Sequence, residues 1–218
     1  MLSDLRFALR QLLKSPGFTA VSLLTLALGI GVNTSMFTLL SQFVLRRLPY
    51  ADSERLVSIY RTSPQNQSWP HSPANFLDYQ AQNTVFEKMA AIHWTSYNLA
   101  EPGQPAERLR GLAVTGDFFA ILGVPAALGR TFGPAEDKPG QPLIVVLSHP
   151  TWASRFARDP GVIGRTVRMN GEPVTIVGVM PPGFEERILW GHVDVWRPRA
   201  FTDQERGARG SNYLTAIA

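Results

Sequence analysis

The chain has 218 residues, 44% of them hydrophobic and 17% charged, with a formal net charge of +4 and no cysteine. The missing cysteines exclude a disulfide framework, thiolate metal sites and a cysteine nucleophile. The positive balance does not make a nucleic-acid footprint, because the basic residues beyond Arg47 are scattered among acids and only Lys14, Lys88 and Lys138 are lysines.

Residues 1–17 read as an interfacial segment. In LSDLRFALRQLLK, Leu2, Leu5, Leu9, Leu12 and Leu13 recur at helical spacing on one face, and Arg6, Arg10 and Lys14 repeat every four residues on the other. Ser3 can cap this helix and Asp4 suits its positive end. A basic amphipathic helix beside an apolar segment is suited to lie in a membrane interface against anionic lipid. Ser15-Pro16-Gly17 is expected to break the helix.

Residues 18–45, FTAVSLLTLALGIGVNTSMFTLLSQFVL, contain no charged residue and no histidine. As a helix this stretch reaches roughly 42 Å, more than a hydrocarbon core of about 30 Å. It is expected to be a transmembrane helix. A cleaved signal is the competing reading, with a cleavage site at Ala27-Leu28-Gly29. The long patterned leader and the apolar run continuing to Leu45 argue against it. Two rows of small or polar residues, Ala27/Gly31/Ser35 and Thr25/Gly29/Asn33, suit a helix that packs against others. Arg6, Arg10 and Lys14 favour a cytoplasmic N-terminus, but Arg46, Arg47 and Arg55 nearly balance them. Size tips the orientation, since long domains translocate largely regardless of charge.

Residues 46–218 have the composition of a mixed α+β domain. Leu56–Tyr60 reads as a strand, 63–70 as a polar loop, and Ser72-Pro73 opens a helix through about Ala81. A short helix is expected near Val85–Ala90, then strands over Ile92–Leu99 and Arg108–Val114 around the turn 101–105. Thr115 is expected to cap a helix over Asp117–Leu122, stopped by Gly123. Leu143–Leu147 is a strand buried on both faces, and Thr151–Ala157 the next helix. Thr166–Met169 and Val174–Val179 flank the hairpin signal Asn170-Gly171, with Glu172-Pro173 lengthening the loop. Pro181–Phe184 closes that unit, and Asn212–Ala218 is strand-like.

Catalytic chemistry is not legible. His71, His93, His149 and His192 are scattered without metal-ligand spacing, and His149, between Ser148 and Pro150, reads as a helix-opening residue. The acid pairs Glu136-Asp137 and Glu185-Glu186 lie in turn-like stretches, and there is neither a G-x-S-x-G elbow nor a P-loop. Catalytic, cofactor-binding and metal-ligating residues are each expected to be none.

The opening DLRFALRQLLKSPGFTAVSLLTLALGIGVNTSMFTLLSQFVLRRLPYADSERLV resembles the first segment of ABC transporter permeases of the MacB/FtsX type, closest to the large acidobacterial-type permeases without a fused ATPase. TGDFFAILGVPAALGRTF, VLSHPTWASRFARDPGVIGRTVRMNGEPVTIVGVMPPGFE and DVWRP resemble the periplasmic core domain of the same family. The resemblance implies a permease dimer, homo- or heteromeric, in the bacterial inner membrane, with a cytoplasmic N-terminus and a periplasmic bulk. It implies no cofactor in this chain, ATP binding a separate cytoplasmic ATPase subunit. Further implied partners are the lipid bilayer, a periplasmic adaptor and an outer-membrane channel, and no nucleic acid. Three later spans expected of the family do not follow, so the chain is expected to be an N-terminal fragment with an incomplete domain. The expected function is a non-catalytic permease subunit of an export or mechanotransmission system. A single-span anchored periplasmic binding or adaptor module is the alternative, and a secreted hydrolase after signal cleavage a third reading.

Overall fold

Ser15 alone separates the first two helices, α1 (Leu2–Lys14) and α2 (Pro16–Leu40), in the computed structural model, which describes residues 2–41, 50, 52–100, 105–184 and 191–218. The expected break at Ser15-Pro16-Gly17 is therefore narrower than the sequence implies. Proline is tolerated in a first helical turn, where its missing N–H has no partner to lose, so Pro16 and Gly17 start α2 instead of interrupting it. The Thr19 hydroxyl donates to Leu12 O at 2.7 Å and Ser15 O at 3.0 Å across the junction. Gln42–Leu45, the last residues of the expected span, and Arg46 and Arg47 lie outside the described residues, as do the Ser3 and Asp4 side chains. These helices belong to one compact unit, Met1–Arg47, and the remainder to a second, Leu48–Ala218.

The second unit is α+β. Its strands are β1 (Ser58–Ile59), β2 (Arg61–Ser63), β3 (Asn66–Trp69), β4 (Ala90–Ala100), β5 (Glu107–Val114), β6 (Leu128–Gly129), β7 (Ile144–Leu147), β8 (Thr166–Met169), β9 (Glu172–Val179), β10 (Val195–Pro198) and β11 (Thr215–Ile217). Its helices are α3 (Pro73–Gln82), α4 (Phe118–Leu122), α5 (His149–Arg155) and α6 (Asp203–Gly207). A nine-stranded sheet runs β1-β11-β4-β5-β10-β7-β9-β6, and β8 pairs with both β4 and β9. That last pairing closes β4, β5, β10, β7, β9 and β8 into a ring. Alternation sends Tyr97, Leu99, Leu109, Val145, Leu147, Ile176 and Val195 into one buried cluster within the ring. Gly111 makes room there, because a Cβ on it would stand 2.4 Å from the Tyr97 ring.

Opposite residues of the same strands, Ile92, Leu112, Val114, Val146 and Trp196, bury against α4 in a second cluster. Burial on both faces explains the unbroken apolar sequence of β7. A third cluster joins Phe76 of α3 to Ala91, Leu214 and Ala216.

Several expectations need correction. The stretch 63–70 is not a loop: β2 and β3 form a separate antiparallel hairpin whose β3 residues are all exposed, so no apolar alternation announces it. No helix forms at Val85–Ala90. Asn83 Oδ1 accepts from the Val85 and Phe86 N–H groups at 3.0 and 2.8 Å, fixing a turn, and Ala90 already begins β4. Thr115 does not cap α4; its hydroxyl accepts from Ala91 N–H at 2.9 Å, tying β4 to the end of β5. Asn170-Gly171, both at positive φ, make a two-residue turn with Met169 paired to Glu172, so Glu172 and Pro173 are strand residues. His149 opens α5 as expected, with Ser148 its N-cap. Residues 101–104 of the expected turn, and Glu185-Glu186, are outside the described residues.

Candidate functional site

In the first unit the chemistry is that of an anchor. Among the described residues α2 is the one helix long and apolar enough to cross a membrane, and none of its residues is buried. Its length is about 37 Å, still more than a hydrocarbon core. Thr25, Ala27, Gly29, Gly31, Asn33 and Ser35 are all exposed, and a Cβ on Gly29 or Gly31 would touch nothing. The rows containing them start two residues apart, which at about 100° per residue puts them on nearly opposite faces. The Thr25 hydroxyl donates to Val21 O at 2.9 Å and Asn33 Nδ2 donates to Gly29 O at 2.9 Å, so both partly satisfy themselves within the helix. On α1, Arg6, Arg10 and Lys14 are exposed along one row.

Tyr50 is buried; its hydroxyl donates to Phe184 O at 3.3 Å, and the two rings meet edge-on at 5.9 Å. Phe184 in turn packs on Phe119 and Trp196 in the α4 cluster. Beyond it, β1 pairs with β11, and Val57 and Ala218 exchange backbone hydrogen bonds of 2.9 and 3.0 Å. β1 and β11, far apart in sequence, therefore lie side by side.

A fully buried histidine braces that junction. His71 Nε2 donates to Ile59 O at 2.8 Å, while its backbone N–H and C=O pair with Leu214 at 2.8 and 2.9 Å. Burial, aided by the Arg61 charge, lowers the His71 pKa despite the bond to Ile59. Arg61 donates to Asn212 Oδ1 at 2.5 Å across the same junction.

Two further polar clusters are structural in form. Arg199 pairs with Glu205 and donates to Tyr213 Oη at 2.9 Å, and its guanidinium lies 5.3 Å from the Phe201 ring centre. Burial opposes ionisation of Glu205, but the Thr202 N–H and Arg199 hold its pKa below the ordinary value. Burial and the Arg199 charge lower His93. Asp194 accepts from Arg110 N–H at 2.7 Å and from the Thr151 hydroxyl at 3.2 Å, with His192 Nε2 at 2.8 Å. Ser148 Oγ in that cluster is committed to capping α5 and to Thr151, so serine, histidine and aspartate do not form a nucleophile–base chain. Among the described residues no three histidine, aspartate or glutamate side chains converge as a metal site. A half-open cavity of about 410 Å³ lies between Arg55, Phe86, Lys88, Ile121 and Ala218. Sequence reading missed the roles of Tyr50 and His71, whose only local signals were an aromatic after Pro49 and a histidine before Ser72-Pro73.

The profile described as MacB-like periplasmic core domain matches residues 19–217. Among solved structures, the chain is similar to the extracellular domain of the ABC-type transporter YknZ from Gram-positive bacteria. That likeness has 13% identity and a TM-score of 0.53, covering 75% of this chain and 82% of that one. It is also similar to the periplasmic region of MacB from Actinobacillus actinomycetemcomitans, at 16% identity and a TM-score of 0.52, covering 74% and 72%. A domain of a proposed permease protein from Porphyromonas gingivalis gives 14% identity and a TM-score of 0.54, covering 79% and 74%. At such identities these structures speak to the fold. No curated protein matches the chain.

Proposed function

The chain belongs to the family of the MacB-like periplasmic core domain, and on that premise we propose that it acts as a non-catalytic permease subunit of an ABC-type export or mechanotransmission system. A separate cytoplasmic ATPase supplies ATP chemistry, and this chain turns it into movement of a periplasmic domain. The observation that supports this best is the linkage at the start of the domain. The segment following an apolar helix is stapled into the core by Tyr50 and then paired, through β1, with β11. A pull applied there reaches the closed strand ring through β11 and β4.

In this reading α1 lies in the interface of the inner membrane with Arg6, Arg10 and Lys14 toward anionic headgroups on the cytoplasmic side. One of the α2 rows, Ala27/Gly31/Ser35 or Thr25/Gly29/Asn33, packs on a neighbouring span in a homo- or heteromeric permease dimer. The second unit stands in the periplasm, where an adaptor and an outer-membrane channel are its prospective partners. Affinity purification from native membranes in mild detergent tests the partnership, with Val85→Cys marking the side of the membrane, since Val85 is 83% exposed and the chain has no other cysteine. An ABC ATPase should co-purify, and a membrane-impermeant maleimide should label the variant from the periplasmic side. A chain that purifies without an ATPase contradicts the permease reading and favours an anchored binding or adaptor module. Labelling only from the cytoplasm overturns the orientation.

A further inference from the structure

His71 lies where β1, the approach to β11 and α3 come together. Its side chain reaches Ile59 of β1, its backbone pairs with Leu214 and with Tyr213 N–H at 3.1 Å just before β11, and its ring meets Tyr79 of α3 edge-on at 5.5 Å. Ile59 O is an acceptor only, so Nε2 carries the proton and Nδ1 is the bare nitrogen. Nδ1 is buried and has no hydrogen-bond partner.

We propose that His71 is a proton-operated latch between β1 and the segment leading into β11. Neutral, it fits its apolar site and holds β1 to the β11 side. A second proton would go on Nδ1, making a buried cation with no acceptor at that nitrogen. The Nε2 bond alone does not compensate this, because a desolvated imidazolium costs far more than one hydrogen bond returns. The charged and titratable groups facing the ring are Arg61, at the start of the β2–β3 hairpin, and the Tyr79 phenol on α3; on the β11 side the contacts are to the His71 backbone, with Leu214 O accepting its N–H and the Tyr213 and Leu214 N–H groups donating to its carbonyl. Arg61 repels the cation, and no carboxylate among these groups is placed to receive it. Protonation therefore drives the side chain toward water and frees Ile59 O.

β1 is only two residues long, so without this brace it is held by its ladder to β11 and by the packing of Ile59 on the third cluster. The sign follows from linkage. A histidine whose folded pKa is lowered leaves the fold fully stabilised above its ordinary value of 6.5, and that stability is lost as pH falls below it toward the depressed folded value. The latch is thus closed at neutral pH and opens in acid. It follows from the domain's fold and holds whether or not the chain serves an ATPase.

The test is native-state hydrogen exchange on the full chain in detergent, corrected for the intrinsic pH dependence of exchange, at pH 7.5 and 5.5. In the wild type, protection of residues 57–61 and 213–217 should fall several-fold on acidification, up to the limit of about tenfold that one proton sets over this pH range, while β7 and β9 keep theirs, tenfold corresponding to about 1.4 kcal/mol. His71→Gln, whose amide can still donate to Ile59 O but cannot take a proton, should show no such fall. Equal protection of the wild type at both pH values overturns the latch, as does an undiminished fall in His71→Gln. Should that variant not fold, an imidazole ¹⁵N titration of the wild type decides: proton uptake at Nδ1 must coincide with the loss of protection, and uptake without it refutes the proposal.

Discussion

Arg199 shows how much one side chain organises. It serves Glu205 and Tyr213 at once and lies over the rings of Phe201 and Tyr213, so the end of β10, α6 and the approach to β11 share one cation. Glu205 also completes the capping box with Thr202 at the start of α6. Because the folded state holds Glu205 below its ordinary 4.5, the carboxylate contributes stability above that value, and the contribution is lost as pH falls through the depressed folded value. Arg199→Met should lower stability by about 1.5–3 kcal/mol at neutral pH, as expected for a charge-assisted hydrogen bond. It should also flatten the pH dependence of the melting temperature below pH 4.5. Melting temperatures of variant and wild type between pH 3 and 7 check both, with roughly parallel curves counting against the assignment. None of this was legible beforehand, since DVWRP and the Thr202–Glu205 box carry no mark of the partners that folding brings to them.

At the scale of elements, the prediction concerns the two small-residue rows of α2. Since they lie on nearly opposite faces, one close interface with a single neighbouring span can use only one of them. Gly31→Leu and Gly29→Leu should therefore differ: one should reduce disulfide crosslinking between cysteines engineered along its own row several-fold, while the other leaves its crosslinking unchanged. Equal effects from both, or none from either, would sink the interface. The sequence made elements readable wherever burial was regular. The charge-free run of α2, the doubly buried β7 and the alternation in β4, β5 and β9 each follow from a periodic requirement that residues must meet. Elements held by long-range partners left no such trace. β3 is exposed throughout, β6 has two residues, and β10 is a four-residue strand whose place between β5 and β7 is set by distant pairing. Val85–Ala90 looked helical because its residue types permit a helix, yet the Asn83 side chain claims the Val85 and Phe86 N–H groups first.

At the scale of the whole molecule, the second unit is a ring of strands with β1 and β11 joined at one side, in a chain whose second helix is of membrane length. The composition and the anchor helix made the general plan legible, but the junction of Tyr50, β1, His71 and β11 depends on contacts across more than a hundred residues, as Tyr50 to Phe184 shows. The proposed function requires ATP-driven rearrangement to move this domain relative to the membrane. Energy transfer from a donor attached through Val85→Cys to acceptors on the lipid headgroups of nanodiscs holding the chain with the proposed ATPase reads that movement directly. Trapping with ATP and vanadate should change the donor–bilayer distance reproducibly, and the change should vanish when the ATPase is catalytically inactive. Identical transfer efficiencies in the nucleotide-free and trapped states would contradict the account.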